Sequence, residues 1–407
     1  MYHKMNTREL RAGMYIVNIG VSWLKHPYLY ATEGELVPQE LEKLLEEGYT
    51  EAYIDLTRCR PGTLSPELEK LVPSVTSEDI QDDFPLPAPP PPRVALAEEL
   101  PKARQVFFSS LGVVKDMMTN LRKGVADPPA AEGVVEDLLD SLDRNTDALL
   151  SLCKLRQVDD YTYTHCVNVS VLAALFARGL GISGDELYNI GMGGLFHDMG
   201  KALIPAKILN APRRLSTSEM TIVKRHPQLG YEALCEYPNV PQPALQMALE
   251  HHEQYCGEGY PNQLPGKSIS VAGRIGGVVD TFDALSSRRV YKEPMSLPKS
   301  LSILYSMRGK EFFPDMVERF IRLLGVYPIG SPVELEDGSK AVVSAVNIAS
   351  PLQPKVILVS DRDGKSLGKR ECDLAAAGNP AIVKSLTPKE LGADPATVLG
   401  IPVMAPV

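Results

Sequence analysis

No stretch of this sequence approaches the ~20 consecutive apolar residues that a membrane-spanning helix needs, and the opening MYHKMNTRELRAG lacks the apolar centre of a secretory leader. The expectation is a protein without a membrane span, working in the cytoplasm. Paired cysteines are also missing. The six, Cys59, Cys153, Cys166, Cys235, Cys256 and Cys372, contain no CxxC, which leaves neither a disulfide framework nor a zinc-ribbon site and suits a reducing compartment. Positive charge is in deficit: 42 Lys and Arg against 51 Asp and Glu give −9, which excludes a nucleic acid polymer or a membrane surface held by bulk charge. A phosphate-bearing ligand would have to be held locally, by metal ions or a small Arg/Lys cluster.

What is present fits a folded, multidomain chain: 407 residues, 44% of them hydrophobic and 23% charged, suit two or three domains, and no internal repeat is found. Residues 1–60 read as a small α+β module, with β-prone runs at 14–19 and 52–56 around a helix at 38–47. Residues 61–94 form a linker ending in FPLPAPPPPR, a run that favours extended polyproline geometry. Connecting helices at 95–133 lead into a mainly all-α domain at 134–330, where Ser183 with Glu186 and Ser216 with Glu219 have the Ser-x-x-Glu spacing of capping boxes. Beyond it, 331–407 reads as a small β-rich extension with turns at Asp337-Gly338 and Asp363-Gly364, then an extended Pro-bearing tail.

Of seven His, only His3 and His26 lie outside the helical domain. The other five fall between residues 165 and 252, and histidine is the commonest metal ligand. A single inward His is usually a satisfied core residue. The adjacent pair His197-Asp198 is harder to dismiss, because a buried carboxylate is costly unless it is paired or binds a cation. His165 lies above Val169, Leu172 and Phe176, His226 precedes Pro227, His251-His252 follow Ala244 and Ala248 on an apolar face, and Asp280 ends an apolar run. Imidazoles and carboxylates from separate helices make a mixed N/O donor set, which suits manganese, iron or zinc better than calcium or magnesium.

In that order and spacing, His165, His197-Asp198 with Gly200-Lys201, His226, HHEQYCGEGYP at 251–261 and Asp280 resemble the HD-GYP family of the HD metal-dependent phosphohydrolases. The resemblance covers about residues 145–325, and the N-terminal module resembles a short domain that precedes HD-GYP in some bacterial proteins. It implies hydrolysis of cyclic di-GMP to linear pGpG, or onward to GMP, by a metal-activated hydroxide. It also implies that His165, His197, Asp198, His226, His251, His252 and Asp280 ligate two divalent ions, iron or manganese, with Asp198 bridging. Lys201 would join Asp198 in catalysis, while Tyr260, Arg289 and Lys292 would contact the substrate. Asp283, at i+3 from Asp280, either reaches that site or serves as an exposed or capping residue.

Two readings stand beside the enzyme: a cyclic di-GMP receptor with little or no turnover, and a phosphodiesterase for a related cyclic dinucleotide such as cyclic GMP-AMP. Signalling partners would dock through the GYP loop or the terminal domains, and an oligomer is compatible with the sequence. The chain departs from the family pattern at Cys256, where Asp or Asn is usual, and at Val290, where Pro is usual. It also has Tyr161 one turn before His165, where some members carry a Glu that helps hold a third ion. A phenol is a poor ligand for a hard divalent ion, so two ions are expected.

Overall fold

A computed structural model describes residues 2–18 and parts of 34–68, then 92–400 apart from 125–128, 156–160, 212, 214, 288–294, 296, 348–349 and 351. Most of the expected helix at 38–47 and most of the Pro-rich linker lie outside the described residues.

The N-terminal module is an antiparallel sheet of β1 (Tyr2–Asn6), β2 (Tyr15–Asn18), β3 (Gly34–Glu35) and β4 (Glu51–Asp55), ordered β1-β4-β2-β3. Met5, Ile16, Ala52 and Ile54 make its own small core, as strand alternation requires.

The helical domain begins earlier than the His-bearing region. α1 (Leu96–Leu121) and α2 (Pro129–Leu155) pack along each other, and α1 places Leu100, Phe107, Val114, Met117, Met118 and Leu121 in the same core as the later helices. The pair is joined by a fully buried carboxylate: Glu99 accepts from Ser141 at 2.8 Å and from two Arg144 nitrogens at 2.7 and 3.0 Å. Burial pushes that carboxyl up, but the Arg144 and Ser141 hydrogen bonds outweigh it and hold it below its usual range. Residues expected to form a connection are therefore built into the core.

α3 (Tyr161–Gly179) runs through the middle of the bundle, with residues 165–177 buried on every face. Its apolar stripe is part of an all-round apolar surface, the pattern of a central helix. Around it lie α4 (Gly184–Phe196), α5 (Ala206–Leu209), α6 (Thr217–Val223), α7 (His226–Cys235), α8 (Gln242–Glu250), α9 (Val271–Ser286), α10 (Leu297–Ser306) and α11 (Pro314–Leu324). Ser216 and Glu219 close a full capping box on α6. Ser183 makes no side-chain cap on α4, a correction to the spacing argument: the next residue, Gly184, takes φ +59 and redirects the first turn's amides. β1 rests against α10 and Tyr15 packs on the large core, so the N-terminal module is seated on the helical domain.

The C-terminal piece is an antiparallel sheet of β5 (Pro332–Leu335), β6 (Lys340–Ala345), β7 (Lys355–Ser360), β8 (Ser366–Asp373) and β9 (Ile382–Ser385), ordered β8-β7-β6-β5-β9. Asp337-Gly338 and Asp363-Gly364 make the expected turns, each Gly at φ +81. The segment read as an extended tail is instead partly helical. α12 (Pro388–Leu391) and α13 (Pro395–Val398) each start on Pro, which needs no amide partner there, and they add Leu391, Ala396, Val398 and Leu399 to the helical core.

Candidate metal centre

Each of the expected ligands sits where a helix ends or where two helices approach closely. α4 stops at Phe196, His197 caps it, and Asp198 (φ −105, ψ 8) turns the chain into a 3-10 segment, Met199–Leu203, that carries Lys201. This segment lies so near α7 that a Cβ on Gly200 would fall 1.9 Å from the His226 carbonyl oxygen. Only glycine fits there, and the contact brings His226 up to Asp198. His226 opens α7 ahead of Pro227, His251 caps α8 with His252 just beyond, and Asp280 lies within α9. All seven side chains are buried, none more than 3% exposed.

Four of the imidazoles are anchored from behind by Nδ1. His197 donates to the Gly194 carbonyl at 2.8 Å, His226 to Val223 at 2.8 Å, His251 to Met247 and Ala248 at 3.0 Å, and His165 to the Asp283 carboxylate at 2.8 Å. With Nδ1 as donor, Nε2 is left as an inward-facing lone pair, the tautomer a metal ligand needs. His165 and His197 bring these atoms to 3.2 Å, and His226 and His251 to 3.3 Å. Such facing lone pairs repel unless a cation lies between them.

The donor atoms form two triplets, His165/His197/Asp280 and His226/His251/His252, joined by a third, His197/Asp198/His251. Asp198 lies between them: Oδ1 is 3.2 Å from His226 Nε2 and 3.8 Å from His251 Nε2, while Oδ2 is 3.4 Å from His197 Nε2 and 3.6 Å from His165 Nε2. Lys201 Nζ pairs with Oδ2. Asp198 Oδ1 and Asp280 Oδ1 are fully buried and accept no hydrogen bond, so each offers a carboxylate oxygen to a cation. The donor set fits a pair of divalent ions.

Electrostatics divide the site in the same way. Burial alone would raise the Asp198 carboxyl, but Lys201 and His197 overcome it and hold it well below the usual carboxylate range. Burial, reinforced by neighbouring imidazoles, lowers His251 to about 3 and His252 well below its ordinary value, and burial also lowers His226. That triplet is therefore neutral and ready to ligate. His165 goes the other way: burial lowers it, but the Asp280 and Asp283 carboxylates beside it raise it to about 9. The same carboxylates that favour a proton there would favour a cation in its place.

Asp283 needs correction as a candidate substrate contact. It is fully buried, with Oδ2 on His165 and Oδ1 accepting from Asn168 Nδ2 at 2.9 Å and Ser287 Oγ at 3.0 Å. Both oxygens are engaged behind the imidazole, where they orient it. Tyr260 does reach the site: its ring lies 4.7 Å from the His252 ring at 33°, and its amide donates to the His252 carbonyl at 3.1 Å.

A residue assigned no role from sequence, Glu253, fixes that loop by accepting from the Asn262 and Leu264 amides at 2.6 and 2.8 Å. Gly259 allows the approach, since a Cβ there would fall 2.5 Å from Glu253 Cα. The third position of His-His-Glu, beside two ligands, was the available signal. Cys256 is exposed: its amide donates to the Lys310 carbonyl at 2.9 Å, and its thiol makes only a long contact, 3.9 Å, to Gln254 Oε1. Arg289, Val290 and Lys292, together with the side chain of Tyr161, lie outside the described residues.

Comparison with known proteins agrees with this architecture. A family model described as an HD domain matches residues 135–316, a domain of unknown function (DUF3391) matches 2–130, and a KOW domain associated with HD domain matches 332–394. Over 395 residues the chain is 33% identical to cyclic di-GMP phosphodiesterase PA4108 of Pseudomonas aeruginosa, covering 96% of this chain and 93% of that protein. It is 42% identical over 165 residues to the cyclic di-GMP phosphodiesterase response regulator RpfG of Xanthomonas campestris pv. campestris, covering 40% of this chain and 44% of the relative. It is 35% identical over 158 residues to 3'3'-cGAMP-specific phosphodiesterase 2 of Vibrio cholerae, covering 39% and 30%.

Proposed function

Because this chain belongs to the HD-GYP family of HD-domain phosphohydrolases, we propose that it is a metal-dependent phosphodiesterase that opens cyclic di-GMP to linear pGpG. The observation that carries the reading is Asp198, whose two oxygens face different imidazole groups. A receptor without turnover would not need that arrangement. We assign His165, His197 and Asp280 to one ion and His226, His251 and His252 to the other, with Asp198 between them.

Divalent ions in these positions supply Lewis acidity and lower the pKa of water at the site. The chain's own residues do the rest. The Nδ1 anchors hold the imidazoles in one tautomer, the Tyr260 loop covers the His252 side, and Lys201 places a positive charge where an attacked phosphate would gain negative charge. Iron or manganese is the proposed metal, from the mixed N/O donors. A cytoplasmic site of action is proposed from six cysteines that form no CxxC and no disulfide; no helix among the described residues is long and apolar enough to cross a membrane. The test is turnover of cyclic di-GMP, with cyclic GMP-AMP in parallel, by protein of known metal content. Metal-loaded protein that binds the dinucleotide without cleaving it would make it a receptor, and faster cleavage of the hybrid would reassign the substrate.

Two expectations follow. Replacing both Arg289 and Lys292 with Ala is expected to weaken substrate binding by ~2–4 kcal/mol, the worth of charge-assisted phosphate contacts, and to leave ion content unchanged. Titration calorimetry reads this directly, and unaltered affinity would place the phosphates elsewhere. Elemental analysis should find two ions per chain, since Tyr161 occupies the position from which a Glu would serve a third. Three fully occupied ions would mean that another side chain has taken that part.

A further inference from the structure

Three of the four anchored imidazoles lean on a backbone carbonyl three or four residues earlier, so the local chain itself fixes how they point. His165 is the exception. Its anchor is a side chain, Asp283 on α9, and a side chain orients an imidazole only as well as it is itself held. Asn168 supplies part of that hold. It lies one turn after His165 on α3, on the same face, and its Nδ2 donates to Asp283 Oδ1 at 2.9 Å while Asp283 Oδ2 meets His165 Nδ1 at 2.8 Å. Two residues of α3 thus clasp one carboxylate of α9, and Ser287 Oγ, from the C-cap of α9, meets the same Oδ1 at 3.0 Å.

From this geometry we infer that Asn168 is a positioning residue for one of the two ions. It holds Asp283, Asp283 orients His165, and the ion at His165, His197 and Asp280 therefore depends on Asn168, whereas its neighbour at His226, His251 and His252 does not. The inference rests on the proposed two-ion centre and adds to it a residue that touches neither ion. Packing alone is a poor account of an amide at this place. Asn168 is 1% exposed, and its Oδ1 accepts no hydrogen bond from any described residue, which is a cost. Leu has the same branched shape, forms helix better and would leave no buried oxygen unpaired. What Leu lacks is the N–H that Asn168 gives to a carboxylate, a charge-assisted bond strong enough to offset the orphaned oxygen. Nδ2 also reaches the Cys153 carbonyl, at 3.3 Å, in the last turn of α2. That contact supplies the competing account, since a tie between α2 and α3 would serve the fold and both ions alike.

The test uses full-length protein, stripped of metal and titrated with manganese, as wild type, Asn168→Ala and Asn168→Leu. Alanine is small enough to fit, and leucine keeps the branched shape without the donor. Calorimetry follows the binding of each ion, electron paramagnetic resonance separates a lone manganese ion from an exchange-coupled pair, and a melt of the metal-free protein reports the fold. Both variants are expected to bind one ion as the wild type does and the other about tenfold more weakly. At limiting manganese the signal of a lone ion should therefore replace that of the pair. Turnover of cyclic di-GMP should fall under the same condition and return as manganese is raised, with the metal-free melting temperature close to that of the wild type. Wild-type affinity for both ions, or equal weakening of both, would overturn the inference. If leucine prevents folding, alanine alone decides between these outcomes. Metal-free protein that unfolds with either substitution would make Asn168 a structural tie between helices and overturn the inference too. Wild-type protein that binds fewer than two manganese ions would instead overturn the two-ion reading on which it rests.

Discussion

Replacing Asp198 with Ala is expected to remove bound metal and turnover together, with a fall in kcat of about a thousandfold or more. Asp198 is within 4 Å of four imidazoles, two from each triplet, through separate oxygens, whereas Asp280 reaches one from each, His165 at 2.9 Å and His252 at 3.8 Å. The loss of Asp198 leaves four Nε2 lone pairs crowded around a cavity with Asp280 as the one remaining carboxylate among the proposed ligands. The ions would then lack both a shared ligand and half the neutralising charge. Asp198→Asn separates these effects, since it keeps the shape and a single neutral oxygen; it should retain part of the metal and little of the rate. Ion content by elemental analysis, product formation from cyclic di-GMP and a thermal melt form the measurement. Wild-type turnover in Asp198→Ala would end the two-ion account.

The second large effect separates two truncations. Removing residues 1–93 should leave a protein that folds, holds its ions and turns over substrate, because every proposed ligand lies between His165 and Asp280. The N-terminal sheet also has a core of its own. Removing residues 1–128 takes away α1, and with it six core side chains, Leu100, Phe107, Val114, Met117, Met118 and Leu121. At about 1.5–3 kcal/mol for each buried side chain the loss is on the order of 9–18 kcal/mol, which matches or exceeds the stability of an ordinary domain. It also removes Glu99, leaving Arg144 and Ser141 without the carboxylate they bond, and Arg122, which donates to the Ala202 carbonyl at 3.3 Å beside Lys201. Circular dichroism and activity of the two fragments decide the matter. A folded, active 129–407 fragment would show that α1 is dispensable, and an inert but folded, metal-loaded 94–407 fragment would bring the N-terminal module into the chemistry.

The candidate ligands were legible from residue type and order, because imidazole and carboxylate are costly to bury without a purpose and this chain gathers them in one helical region. Turns marked by Asp-Gly were legible for a similarly local reason, since a positive φ selects glycine within a few residues of chain. Asp283 was not. Spacing on α9 puts it on the face of Asp280, but whether it meets substrate or the back of His165 depends on where α3 passes, which is a long-range fact. α1 read as a connection because its amphipathic pattern says that one face is buried without saying against what. The same limit applied to Leu391 and Val398, apolar residues in a Pro-rich stretch that the helical core takes up. Local chemistry therefore determined which groups this protein brings to its site. Only packing decided their partners, because a side chain's direction is set by its own helix while the atom it meets belongs to another.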